Sequence, residues 1–485
     1  MAMFRILTPD SPTPAAHRPS LAERIVMDET YLGLGVATLV ATLLMQLLVC
    51  GSNALQTEFL VALGTLWAMM LFVRGLYIRA ERFLFSPTFW LLINFLFYFV
   101  LKSLDISEKD GLTPTLVRVL WLCTLFLMIY GVTYALTNAW LRGSGAARAQ
   151  PRVEVLIPKR ALWLLLAIYG CFKLFGIALL AVAGGGDALE VSAATQNAGA
   201  AYLFRIPTVG NIILLGLMFN AFKNNRGWTV TGLALVFYLF EALLSTSRLS
   251  LVLVVMWSSF LYHRYRHPIS LWHLALIGCP LILVVVLFGY ARNIEVGSVA
   301  AYAEAAVILT EQPILVSDLF LQRMDMLPEM VEALNLHEAG VLPDLYGGSY
   351  VYTFMHSIPR SLWEEKPLLT AALVTSETHP GAFADGVNIF PSIIVEGYLN
   401  LALAGVVISG ILVGFLSRQL ERAIDADRLV PSVWALSMLT FPMALFNEGF
   451  HSNFTGGLLY STALSAVLYQ ILLLIGAVKH RRLAP

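Results

Sequence analysis

The chain has 485 residues, 58% of them hydrophobic and only 13% charged. That is far more apolar surface than a soluble domain of this length could bury. Its 31 basic and 31 acidic residues balance to zero net charge, which excludes the strong positive field of a nucleic-acid binder. The four cysteines, Cys50, Cys123, Cys171 and Cys279, fall in or at the ends of apolar stretches without metal-type spacing, so no disulfide, metal site or other cofactor is implied.

The lipid bilayer is the expected solvent and partner. Residues 1–30 are polar, contain Pro12, Pro14 and Pro19, and read as a cytoplasmic arm rather than a cleavable signal. About twelve apolar segments follow, near 31–50, 57–73, 88–104, 114–137, 161–184, 206–222, 228–246, 249–263, 270–290, 390–416, 430–447 and 455–478. Each meets or approaches the roughly 18 to 20 residues that cross a bilayer as a helix. This predicts an all-α polytopic membrane protein. A bundle of about nine helices spans 31–290, one large outer helical loop 291–389, about three more helices 390–478, and a short tail 479–485.

Charge separation sets the expected orientation. With both termini inside, the cytoplasmic segments hold 21 of the 31 basic residues and 9 of the 31 acidic ones, a net of +12, leaving −12 for the remainder. Short loops rich in Lys and Arg stay in the cytoplasm.

Within the first bundle, Arg118 lies near the outer end of the fourth span and reads as a snorkelling side chain. Lys173 is deeper in the fifth, where an ammonium needs a carboxylate, a carbonyl or water. The outer loop 184–205 opens on Gly184-Gly-Gly and ends at Arg205, whose spacing to Gly216 is Arg-x10-Gly. Between the seventh and eighth spans the break Leu244-Ser-Thr-Ser-Arg248-Leu-Ser is short enough for a tight hairpin. Arg248 then either forms a structural ion pair at the tip, with Glu241 as partner, or serves as an anion-binding guanidinium.

A stretch of about a hundred residues in one outer loop is functional or disordered, and its composition argues against disorder. Ser298 to Thr310 is an Ala-rich helix-forming run, and Pro313 to Leu334 reads as a helix with an apolar stripe bordered by Arg323. Next come Tyr346-Gly-Gly-Ser-Tyr350, His356 and Pro359-Arg-Ser-Leu-Trp-Glu-Glu-Lys-Pro367. Glycines admit close backbone approach, and tyrosines with Trp363 offer flat faces with polar edges, suited to sugars or to a membrane interface. The tenth span opens at Pro391 and carries Glu396 about a turn and a half inside, with Asn400 one turn later on the same face. Glu448 and His451 follow in Phe446-Asn-Glu-Gly-Phe-His-Ser-Asn453, and Asp425-Ala-Asp427 reads as a solvated linker on the opposite side.

These features resemble the O-antigen or oligosaccharide repeat-unit polymerases of the Wzy type. The resemblance is carried by Ser247-Arg248, Leu321-Gln-Arg-Met-Asp-Met-Leu327, Gly347-Gly-Ser-Tyr350, Pro359 to Pro367, and Pro391 to Asn400 followed by Gly405. It covers the C-terminal half, and the first half only through span count. Such enzymes are similar to the C-type membrane glycosyltransferases. Metal-using members of that class often carry Asp-x-Asp in the first outer loop, whereas residues 51–56 contain no acid, so metal-independent chemistry is expected.

The resemblance implies transfer of a growing glycan from undecaprenyl pyrophosphate to a second lipid-linked repeat unit on the periplasmic face of a bacterial inner membrane, with a chain-length-determining protein as a possible partner. Arg360, Arg323 and Arg248, with Lys366, would hold the departing pyrophosphate, because guanidinium groups bind such oxygens bidentately. Glu396 is the implied base, with Glu448 and His451 behind it, and Arg205, Arg292, His356, Tyr350 and Trp363 complete the implied substrate contacts. Two alternatives share the composition: a lipid-linked oligosaccharide flippase or transporter, and an O-antigen ligase.

Overall fold

A computed structural model of the chain describes residues 28–49, 54–77, 83–109, 111–143, 153–154, 157–182, 208–244, 248–294, 299–312, 325–355, 363, 365, 367–384, 389–439, 445–447, 449, 458, 460–474 and 481–482. Within them the first bundle consists of α1 (Glu29–Val49), α2 (Ala54–Gly75), α3 (Pro87–Phe95), a π-helical turn (Leu96–Leu101), α4 (Lys102–Lys109), α5 (Pro114–Gly143), α6 (Lys159–Val182), α7 (Thr208–Asn224), α8 (Trp228–Leu244), α9 (Arg248–Tyr265) and α10 (Leu271–Ile294). The region expected to form the outer loop holds α11 (Val299–Glu311), α12 (Met326–Glu338), α13 (Gly348–Met355), α14 (Thr370–Thr378) and α15 (Pro380–Ala384). The chain then continues through α16 (Ser392–Asp425), α17 (Leu429–Ser437) and α18 (Tyr460–Leu474). A two-residue antiparallel strand pair joins Val153–Glu154 to Arg481–Arg482.

Among the described residues six helical stretches are long and apolar enough to cross a membrane: Ala54–Gly75, Pro87–Ser107, Pro114–Leu141, Lys159–Ala178, Trp272–Ala291 and Ser392–Asp425. Twelve spans were expected. The difference arises partly because α7 and α8 are only 17 residues each, and the expected 430–447 span begins with the nine-residue α17. The stretch Trp272–Ala291 is the most apolar of the six and only 22% buried. Trp272, Leu276 and Leu283 on it are exposed, a pattern suited to lipid rather than water.

The centre of the bundle is aromatic. Phe446 sits 4.7 Å from Phe95, 5.3 Å from Phe126 and 5.5 Å from Phe99, centroid to centroid, so α3, the π-turn and α5 close on the 445–447 segment. Next to this cluster the Asn94 amide donates to Asn447 Oδ1, which satisfies a polar group that hydrocarbon would penalise.

Helix α16 is not one span. Leu401 (φ −145°, ψ 29°) and Ala402 (φ 50°, ψ −135°) leave helical geometry. Beyond them the backbone of Gly405 abuts that of Gly397: a Cβ at Gly405 would overlap the Gly397 carbonyl oxygen, and one at Gly397 would lie 2.7 Å from the Gly405 oxygen. Ser409 Oγ donates to Ile393 O at 3.3 Å. In a straight helix residues eight apart are separated by about 12 Å, so the chain reverses at 401–402. Residues 392–400 form a half-helix, α16a, antiparallel to the long arm 403–425, α16b. The expected continuous tenth span is thereby corrected, and Glu396 sits on the returning half-helix. Gly410 and Gly414 hold α16b against α5, since a Cβ at Gly414 would lie 2.7 Å from Tyr130 O, the small-residue logic of membrane helix packing.

Polar contacts sort the loops into two ends. At one, Glu421 accepts from the Tyr77 and Tyr134 hydroxyls, Lys223 pairs with Asp427 at 3.0 Å, and Arg264 lies 3.6 Å from Asp425. Asp425 and Asp427 are half exposed, as a solvated linker should be, and also carry these ion pairs. At the other end, Lys102 pairs with Asp325 at 3.1 Å, Arg118 with Glu338, and Thr115 donates to Asn335 at 2.7 Å. These three contacts strap α12 across the ends of α4 and α5. The two groups lie toward opposite ends of α5, around Tyr134 and Arg118.

The reversal generates a prediction. Gly405→Ala is expected to destabilise the protein by about 1–3 kcal/mol, because backbone must move to admit the methyl group. Gly216→Ala, whose Cβ would lie an ordinary 3.6 Å from Leu468, is expected to be neutral or stabilising by up to about 1 kcal/mol. Thermal unfolding of the two variants in the same detergent checks both.

Candidate functional site

Where α16a returns toward the outer helices, Glu396 is only 2% exposed. Ser349 Oγ, in the first turn of α13, donates to its Oε1 at 2.9 Å, and Thr370 Oγ1, in the first turn of α14, approaches the same oxygen at 3.4 Å. Gly449, with φ 79°, lies against the other oxygen, since a Cβ there would be 2.5 Å from Oε2. Four chain segments thus meet at one carboxylate. A side chain at Gly449 would displace it, and the positive φ also favours glycine there.

Asn400 braces the arrangement. Its amide nitrogen donates to Ser349 Oγ at 2.7 Å and to Glu396 O at 2.7 Å, while its Oδ1 accepts from Ser349 N at 3.3 Å. Because the helix stops at 400, the carbonyl of Leu399 has lost its helical donor and accepts instead from Leu345 N at 2.8 Å. The edge of the His337 ring packs on Tyr398 at 5.9 Å, so α12 is joined to the same half-helix. On the α14 side Thr375 Oγ1 accepts from Ile389 N at 2.7 Å, which fixes the approach to Pro391.

Of the residues singled out in the sequence, the structure brings Glu396 and Tyr350 together. Burial pushes the Tyr350 phenol up to about 12, with the Glu396 carboxylate adding to the rise, so near neutrality Tyr350 is an uncharged phenol and no base. Trp363 is half-buried in the segment before α14. Arg360, Arg323, Lys366, Arg205, His356, Glu448 and His451 lie outside the described residues, as do the side chains of Arg248 and Arg292. The helix expected over Pro313 to Leu334 is described only from Met326, with Asp325 as its N-cap residue. Asp325 makes no side-chain cap bond, its carboxylate being paired with Lys102. Among the described residues no three metal-ligating side chains cluster.

A further buried charge, and one half-exposed charge, are paired. Lys173, 3% exposed, reaches Glu241 Oε2 at 2.5 Å and Asn211 Oδ1 at 2.8 Å, with the Tyr238 ring 5.0 Å away. The ammonium found its carboxylate, and Glu241, the partner considered for Arg248, engages Lys173. Arg118 pairs with Glu338 instead of only reaching for the interface.

Sequence reasoning singled out Glu396, Asn400 and the Gly347-Gly-Ser-Tyr350 run, which the structure brings together, but missed the contacts of Ser349, Thr370 and Gly449 with Glu396. Asn-Glu-Gly before Phe450 was a usable sign of a turn with positive φ. Thr370 carried none, because a threonine opening a helix is common at any cap.

Arranged this way, the carboxylate can accept hydrogen bonds and, once uncovered, a proton. Ser349→Ala is expected to cost about 1–3 kcal/mol, the range for stranding a buried acceptor's partner. Glu396→Gln keeps an acceptor oxygen for Ser349 and Thr370 and should melt within about 1 kcal/mol of the parent. Detergent thermal melts of both variants test this. No family model, curated protein or solved structure matches the chain.

Proposed function

We propose that the chain is a glycosyltransferase of the bacterial inner membrane that joins undecaprenyl-pyrophosphate-linked oligosaccharide repeat units into a surface polysaccharide. Both termini would lie in the cytoplasm and the reaction would take place on the periplasmic face. The observation that carries this reading is the buried carboxylate of Glu396, held on a half-helix at the point where the outer helices α13 and α14 converge. An acid in that setting is expensive to keep and marks a functional position.

In this reading Glu396 accepts the proton of the attacking sugar hydroxyl as the new glycosidic bond forms. The bond from the donor sugar to the pyrophosphate breaks, and its electron pair leaves with the phosphate oxygen. Arg360 and Arg323 stabilise that departing charge, with Arg248 and Lys366 holding the donor. Ser349 and Thr370 close off the carboxylate in the resting state, so the acceptor reaches Glu396 when α13 or α14 moves aside. Tyr350 and Trp363 supply apolar faces for sugar rings.

The break at 401–402 favours a second reading, a lipid-linked oligosaccharide flippase, because transporters place interrupted helices at their substrate sites. Cells lacking the protein separate the readings. A single repeat unit at the surface indicates a polymerase, a complete core bearing none indicates a ligase, and precursor retained inside indicates a flippase.

Incubating the purified protein with a defined polyprenyl-pyrophosphate oligosaccharide should yield a ladder of products. Glu396→Gln and Arg360→Ala are each expected to lower the rate at least about 100-fold, the lower bound for a general base or a charge-stabilising group, with normal membrane insertion. Wild-type chain lengths in either variant would remove that residue from the site.

A further inference from the structure

At the end of the bundle away from Glu396, a cavity of about 620 Å³ opens between α1, α2, α3 and the segment entering α10. Its walls include Tyr31, Trp67, Leu71, Phe83, Leu92 and Ile269. Among the described residues lining it, Arg74 carries the only charge. That guanidinium is 9% exposed and lies between two rings, 4.2 Å from the Tyr31 centroid and 4.3 Å from that of Phe83. Its Nη1 donates to Tyr77 O at 2.8 Å, and among the described residues no carboxylate pairs with it.

A guanidinium has five N–H donors. With its faces covered by rings and one donor spent on a carbonyl, its remaining edge meets no carboxylate among the described residues and can donate bidentately to an anion, the geometry that suits phosphate. The apolar walls suit a hydrocarbon chain and not a free ion. The volume lies within the roughly 300–1,000 Å³ of small-molecule sites.

We propose that this cavity binds an anionic glycerophospholipid, its phosphate on Arg74 and an acyl chain laid along Trp67, Leu71 and Leu92. The site is separate from Glu396 and does not depend on the glycosyl-transfer reading. Its occupant ties α1 and α2 to α3 and to the entry of α10, so the lipid acts as a wedge-shaped component of the fold.

The test uses the full-length protein, delipidated in detergent and offered equal amounts of phosphatidylglycerol and phosphatidylcholine with matched chains, with retained lipid read by native mass spectrometry. Phosphatidylglycerol should be retained about fivefold over phosphatidylcholine, the ratio that one basic residue near a lipid phosphate contributes. Arg74→Gln should bring that ratio close to one while Arg74→Lys keeps part of it. Leu71→Trp, which fills the cavity and leaves Arg74 its bonds, should reduce retention of both lipids and decides the matter if Arg74→Gln fails to fold. Equal retention of the two lipids by the parent, a preference that survives Arg74→Gln, or displacement of the lipid by soluble glycerol phosphate would each overturn the proposal.

Discussion

The backbone contact between Gly397 and Gly405 is what the outer half of the molecule depends on. Two helical arms can lie this close only where neither residue projects a side chain. The contact turns what would be one long span into a half-helix laid against a full one. Without it Glu396 would sit on a continuous helix, away from Ser349 and Thr370. With it, the carbonyls and side chains at the end of the half-helix become acceptors for the outer segments, as the bond from Leu345 N to Leu399 O illustrates. That bond satisfies a backbone carbonyl that the interruption frees, which an apolar surrounding would otherwise penalise. Ala402 takes a φ of 50° to make the turn, a conformation that glycine would adopt at less cost.

Two of the buried charges among the described residues are compensated by neighbouring side chains. Lys173 with Glu241 and Asn211, and Glu421 with Tyr77, Tyr134 and Arg418, are closed sets in which each partner compensates the other's loss of water. Removing one member leaves the other buried and uncompensated, which is far costlier than never having had the pair. Around the Glu396 carboxylate lie the Ser349 and Thr370 hydroxyls and the backbone of Gly449.

Apolar runs made the helices themselves legible in the sequence. The stretches expected near 57–73, 114–137 and 270–290 correspond to α2, α5 and α10 with ends shifted by a few residues. The outer helix expected from Ser298 to Thr310 is α11. The reversal at 401–402 was not legible, because Leu-Ala-Leu-Ala-Gly reads as uninterrupted helix and carries no proline to signal a stop. Only the pair Gly397 and Gly405, eight apart, hints at it, and that spacing has meaning only once the chain is known to fold back. Likewise Glu241 could be assigned to Arg248 by nearness in sequence, whereas Lys173 reaches it from another helix, a contact that periodicity along one segment does not reveal.

The weak burial of α10 also bears on how this chain can change over time. A helix whose flank meets hydrocarbon has to be oily there, but no neighbour dictates which oily residue it carries. Leucine, isoleucine, valine and phenylalanine become near synonyms at Leu276, Leu283 and the positions beside them. Shape is enforced at the glycine contacts and around Glu396, so substitutions should accumulate on the lipid-facing flank while the architecture stays put.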